Sequence, residues 1–149
     1  MRTIALLCCI TALAGCAKTE TKAPAASEAP PPPKISLSDV AGKWNVKAMN
    51  EAKDTTLLTY EMVATADTSG WTVTFPNRKP IPMRVSTLGA NVVVDAGPYP
   101  SVLRKGVQVT THGVFHLDNG KLVGTTFAHY SVTTADSVRR IATEGTRAP

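Results

Sequence analysis

Beyond residue 34, apolar side chains fall at every second position, a spacing that fits half-buried β-strands and little else. Trp44, Val46 and Ala48 alternate with Lys43, Asn45 and Lys47. Leu58, Tyr60, Met62 and Ala64 make a second apolar face, Trp71, Val73 and Phe75 a third, and Ile81, Met83, Val85 and Thr87 a fourth. Residues 92–96, 107–117, 121–132 and 137–144 bring the expected strands to eight. Turn chemistry separates them: Asp67-Thr68-Ser69-Gly70, Gly89-Ala90-Asn91 and Asn119-Gly120, with Pro76, Pro80, Pro98 and Pro100 expected in connections or at strand ends. No long amphipathic helix interrupts the series. The expected fold is all-β: an eight-stranded antiparallel up-and-down barrel with a short N-terminal helical turn, the alternative being a β-sandwich.

Asn119-Gly120 offers an internal check on register. A two-residue type I′ turn pairs Asp118 with Lys121, whereas a three-residue loop with a bulge slips the pairing by one residue. Only the first setting puts Val107, Val109, Thr111, Gly113, Phe115 and Leu117 on the same face as Leu122, Gly124, Thr126, Ala128, Tyr130 and Val132. It also gathers His112, His116 and His129 on the opposite face. Zinc needs three or four ligands on one centre, and no cysteine or carboxylate converges on these histidines in the sequence reading. They are expected to be solvent-facing polar residues, with no metal and no cofactor.

The first 34 residues are of a different kind. Met1-Arg2 gives a positive start, residues 4–12 an apolar run too short for a stable membrane span, and Leu13-Ala14-Gly15-Cys16 a small-residue cut site. These last four residues resemble the lipobox of bacterial lipoproteins. The resemblance implies that residues 1–15 are removed and that Cys16 carries the lipid. Cys8 and Cys9 then leave with the signal, so the exported chain has no disulfide, no thiol nucleophile and no thiolate metal site. Residues 16–34 form the lipidated cysteine and a tether, with Lys18, Glu20, Lys22 and Glu28 among alanines before four prolines at 30–33. At about 3.1 Å per residue in polyproline II, this tether spans up to roughly 50 Å. Ala17 stands where an aspartate would resemble an inner-membrane retention signal. The expected address is the bacterial cell envelope, lipid-anchored, on the outer membrane where the host has two.

Residues 35–149 remain for one small domain. They carry 12 Lys or Arg against 9 Asp or Glu, a net of +3 that does not suggest nucleic acid. The opening segment, Ile35-Ser36-Leu37-Ser38-Asp39-Val40-Ala41-Gly42-Lys43-Trp44, resembles that of the lipocalins and related calycins: a helical turn, then Gly-x-Trp at the start of the first strand. Ser36 is placed to cap the turn. The resemblance implies that Trp44 plugs the closed floor of a barrel and that a basic residue of the last strand, here Arg147, packs across it.

Loop lengths separate the two ends of such a meander. The tight turns after the second, fourth and sixth strands share an end with Trp44, while 50–55, 76–80, 97–106 and 133–136 form the other. A closed floor and an open mouth are therefore expected. At the mouth stand Arg78, Lys79, Arg104, Lys105, Arg139 and Arg140, facing Glu51, Asp54 and Asp136. Segment 97–106 is expected to be a loop acting as lid or plug. As a lid it folds Tyr99 and Leu103 over the mouth, with Arg104 and Lys105 drawing in an anionic head group. The alternative is that its apolar residues complete the core. No nucleophile elbow, paired catalytic acids or phosphate loop is present, and Asp95 has an inward and an outward reading. Two functions follow: a non-catalytic binder of a small amphipathic or anionic ligand, or a module that binds an envelope protein or inhibits a hydrolase through 97–106. Small residues such as Ala48, Ala64, Gly113, Gly124 and Ala128 leave room inside; Trp44, Tyr60, Met62, Phe115 and Tyr130 fill it.

Overall fold

In the computed structural model, residues 33–149 are described; the signal segment, Cys16 and nearly all of the tether lie outside them. A single helical turn, α1 (Leu37–Val40), precedes eight strands: β1 (Gly42–Met49), β2 (Thr56–Ala64), β3 (Thr72–Thr74), β4 (Ile81–Leu88), β5 (Asn91–Pro100), β6 (Gln108–Asp118), β7 (Lys121–Tyr130) and β8 (Val138–Arg147). Each strand pairs with its sequence neighbour, and β1 pairs with β8, from Trp44 opposite Arg147 to Met49 opposite Ala142. The result is a closed antiparallel up-and-down barrel rather than a sandwich. Among the described residues no helix is long and apolar enough to cross a membrane.

The alternation in the sequence becomes an inside and an outside. The β6–β7 ladder has Asp118 opposite Lys121 and keeps that register to Val109 opposite Tyr130, the pairing that the two-residue turn requires. Inward residues form two layers. The lower layer gathers Val40, Trp44, Val46, Met62, Ala64, Trp71, Val92, Val94, Phe115 and Leu122; the upper gathers Ala48, Val73, Phe75, Ala96, Tyr99, Val109, Ala128, Tyr130 and Ile141.

Several strand boundaries differ from expectation. β5 runs on through Gly97 and Pro98 to Pro100, so the segment 97–106 is half strand. Ala96 stands opposite Thr111 and Tyr99 opposite Val109, leaving Gly97 and Pro98 together against Thr110 in a β-bulge. Proline lacks an N–H for the ladder, and Gly97 takes a φ of 110°. A Cβ there would lie 2.7 Å from the Val109 carbonyl oxygen. The extra residue reverses the parity, which turns Tyr99 inward. Second, β8 continues to Arg147, while β7 stops at Tyr130. Third, β3 keeps only Thr72–Thr74 of the expected 71–75. It covers Glu61, Met62 and Val63 of β2 and Pro82 and Ile81 of β4, so residues 56–60 of β2 have a partner strand on the β1 side alone.

Candidate functional site

The floor is closed by polar bonds to backbone as much as by packing. Ser36 donates its N–H to Asp39 Oδ2 at 3.3 Å, which starts α1. Trp44, with no exposed surface, donates its indole N–H to the Val40 carbonyl at 2.8 Å. Arg147 lies over the Trp44 ring, its guanidinium carbon 4.5 Å from the ring centroid, and donates to the carbonyls of Ala41 (2.7 Å) and Asp39 (2.6 Å). One planar cation thus covers the tryptophan and satisfies the end of the helical turn. A second indole, Trp71, donates to the Asp67 carbonyl at 2.8 Å. The Ser69 hydroxyl and N–H, each 2.7 Å from Asp67 Oδ1, hold that carboxyl below its usual range. The Ile35 N–H donates to Gly89 at 3.0 Å, so the leading segment is tied to the β4–β5 turn at this end.

At the mouth, side chains tie the loops to one another. The buried Ser101 hydroxyl accepts the N–H groups of Leu103 (3.2 Å) and Arg104 (2.9 Å), which curls residues 101–107 into a compact turn. Arg78, from the β3–β4 connection, donates to the carbonyls of Pro100 and Ser101. Arg104 reaches the other way, 3.0 Å from Asp136 Oδ2 and 3.1 Å from the Asp136 carbonyl, and lies 5.0 Å from the centre of the Tyr130 ring. The Thr134 hydroxyl, and after it Arg104, holds the Asp136 carboxyl below its usual range. Two of the expected mouth cations thus join three loops.

Several expected positions are corrected. Tyr99 is no lid residue: it is buried on the inner face of β5, its ring 5.5 Å from that of Phe75. Leu103 is half-buried and borders the interior. Arg140 sits in the outward register opposite Phe127 and is 2.7 Å from Glu51, so it braces the β1–β2 connection instead of lining the mouth. Arg139 holds the inward register opposite Ala128. Lys79 and Lys105 are exposed and form no ion pair among the described residues. Asp95 takes the outward reading, with Oδ1 2.8 Å from His112 Nδ1. The sequence reading missed that pair because the β5–β6 register, which places Asp95 beside His112, is not legible in either strand alone. No cluster of three metal-ligating side chains occurs among the described residues.

Between the strapped mouth and the lower layer lies a cavity of about 70 Å³, bordered by Leu58, Tyr60, Met62, Phe75, Met83, Tyr99, Leu103 and Tyr130 among others. Its walls are aromatic and aliphatic with a few hydroxyls. Thr126 and Thr143 bond to each other at 3.1 Å. Burial pushes the Tyr60 phenol well above its ordinary value, and no hydrogen bond offsets it. Tyr99 is also raised by burial, less so because Thr111 hydrogen-bonds it. Such a site holds a small neutral or apolar group and favours one that gives Tyr60 a hydrogen-bond partner. Tyr60 was expected to fill the interior and Thr111 only to face inward; both border the cavity.

Comparison with protein-family models, curated proteins and solved structures returns no match. The fold alone sets the class, a closed eight-stranded up-and-down β-barrel.

Proposed function

We propose that this chain is a non-catalytic, lipid-anchored protein of the bacterial envelope that binds a small amphipathic molecule in the upper half of its barrel. Anchoring rests on Leu13-Ala14-Gly15-Cys16, with residues 17–34 as the spacer. The observation that carries the binding reading is the division of the interior: a packed lower layer that includes two buried indoles, and above it a cavity bordered by the five aromatic rings of Tyr60, Phe75, Tyr99, Phe115 and Tyr130. Its size limits the occupant. At about 70 Å³ it is half the volume that admits benzene in an engineered core, about 150 Å³, and far below the ~300–1,000 Å³ of drug-sized pockets. One small group, such as the end of an acyl chain, is what fits inside.

The interaction or inhibitor reading loses the feature it rested on. Of segment 97–106, four residues are strand, Tyr99 is buried, and Val102, 39% exposed, is the one large apolar side chain of that segment open to a partner.

Native mass spectrometry of the full chain released from its own membranes tests the proposal. The expected spectrum has a covalent lipid on Cys16 and an additional, dissociable mass of a small amphiphile. A bare Cys16 overturns the anchor, and a stoichiometric protein in place of a small molecule overturns the binding reading.

A further inference from the structure

The cavity has a neighbour on the other side of the barrel wall. Where β3 falls short, β2 residues 56–60 lack a strand on one side, and an outer groove of about 580 Å³ runs along that seam. Tyr60 and Phe75, whose rings lie 5.4 Å apart, border both the groove and the cavity. This tilted pair stands just beyond the last β2–β3 ladder pair, Glu61 opposite Thr74.

Charge distinguishes the groove from the cavity. Lys47 and Arg78 border it, against Glu61 as the single carboxylate among the described residues that do so. Arg78 donates to two backbone carbonyls, which satisfy its hydrogen bonds without neutralising its charge. Ser101, one of those partners, also borders the cavity, so the Arg78 side chain reaches from the groove to the cavity's upper edge. At the top, Arg78 and Arg104 tie the loops to one another.

Resting on the binding reading above, we propose that the ligand lies across the wall: a short-chain amphiphile whose apolar end occupies the cavity through the β2–β3 seam while its anionic head lies in the outer groove at Lys47 and Arg78. The dimensions agree. Taking a methylene to fill roughly the ~30 Å³ of a water, the cavity holds two or three carbons, and the remaining few cross the Tyr60–Phe75 partition.

The test uses the full chain in lipid nanodiscs with its methionines ¹³C-labelled at the methyl. Met62 and Met83 border the cavity, and Met49 does not. Xenon dissolved under pressure probes the cavity alone, and hexanoate probes cavity and groove together. Both are expected to shift the Met62 and Met83 signals and leave Met49 in place. Lys47→Gln and Arg78→Gln are expected to weaken hexanoate about two- to fivefold, the scale of a lost, partly exposed charge contact, and to leave xenon binding unchanged. Arg139→Gln, at the mouth, is expected to leave hexanoate binding unchanged. Xenon binding without hexanoate binding, or hexanoate weakened by Arg139→Gln but not by Lys47→Gln, overturns the crossing while sparing the cavity. If neither probe moves Met62 or Met83, the binding reading fails as well.

Discussion

At the residue scale, Trp44 and Arg147 show how one contact closes one end of the molecule. Arg147→Ala removes a cation–π contact and two hydrogen bonds from a charged donor, at 2.7 and 2.6 Å. The expected loss is about 2 kcal/mol in urea unfolding, and Arg147→Lys is expected not to restore it, because an ammonium cannot stack flat and bond two carbonyls together. An unchanged midpoint for Arg147→Ala would show that the floor stands without it. Both residues were legible beforehand, since Gly-x-Trp at the head of the first strand and a basic residue at the end of the last must meet once the barrel closes. Tyr60 makes a different prediction. Burial raises its folded-state pKa above the unfolded ~10, so the folded chain keeps a proton that the unfolded chain releases. Its contribution is complete below about pH 10 and is lost as pH rises beyond that. Tyr60→Phe is therefore expected to make the fall in urea midpoint between about pH 8 and about pH 11 shallower. An equally steep fall in the variant would contradict the burial account.

At the element scale, the departures from simple alternation explain what the sequence hid. Val92, Val94 and Ala96 are inward at even positions, and Tyr99 is inward at an odd one, because Gly97 and Pro98 share a single partner. A reading with unbroken period two ends the strand at Ala96 and assigns Tyr99 to a lid; Gly-Pro followed by a change of parity is the signal of a bulge. Gly97→Ala is expected to cost roughly 2 kcal/mol or more in urea unfolding, since it forces a Cβ to 2.7 Å from the Val109 oxygen at a φ of 110°. A neutral outcome would mean that the bulge is not held as described. Residues 101–107 are held differently, by side chains. Arg104→Ala is expected to speed amide exchange in that turn and in residues 131–137 while shifting the unfolding midpoint little, because the strap is a half-exposed ion pair. Exchange that rises throughout the barrel, or not at all, would contradict a local strap. The mouth cations were legible as a group from loop positions. Which of them serve as ties and which remain free depends on carbonyls and carboxylates brought together only by closure.

For the whole molecule, the alternation determined the number of strands, their order and the closed end, because one greasy side per strand leaves few ways to hide eight of them. What it did not determine is the interior volume. Trp44, Trp71, Phe115 and Leu122 pack the lower layer, while the upper layer leaves a gap among Tyr60, Phe75, Met83 and Tyr99. That difference depends on rotamers and ring tilts, which carry no periodic signature. The short β3 likewise leaves residues 56–60 of β2 without a partner strand on one side, beside the gap. The barrel is filled in its lower half and hollow in its upper half. Crystals under xenon pressure test that division most directly, since xenon enters dry apolar voids without needing a particular functional group. The account predicts xenon density bordered by Tyr60, Phe75 and Met83 and none beside Trp44 or Trp71; density at the indoles, or none anywhere in the barrel, would contradict it.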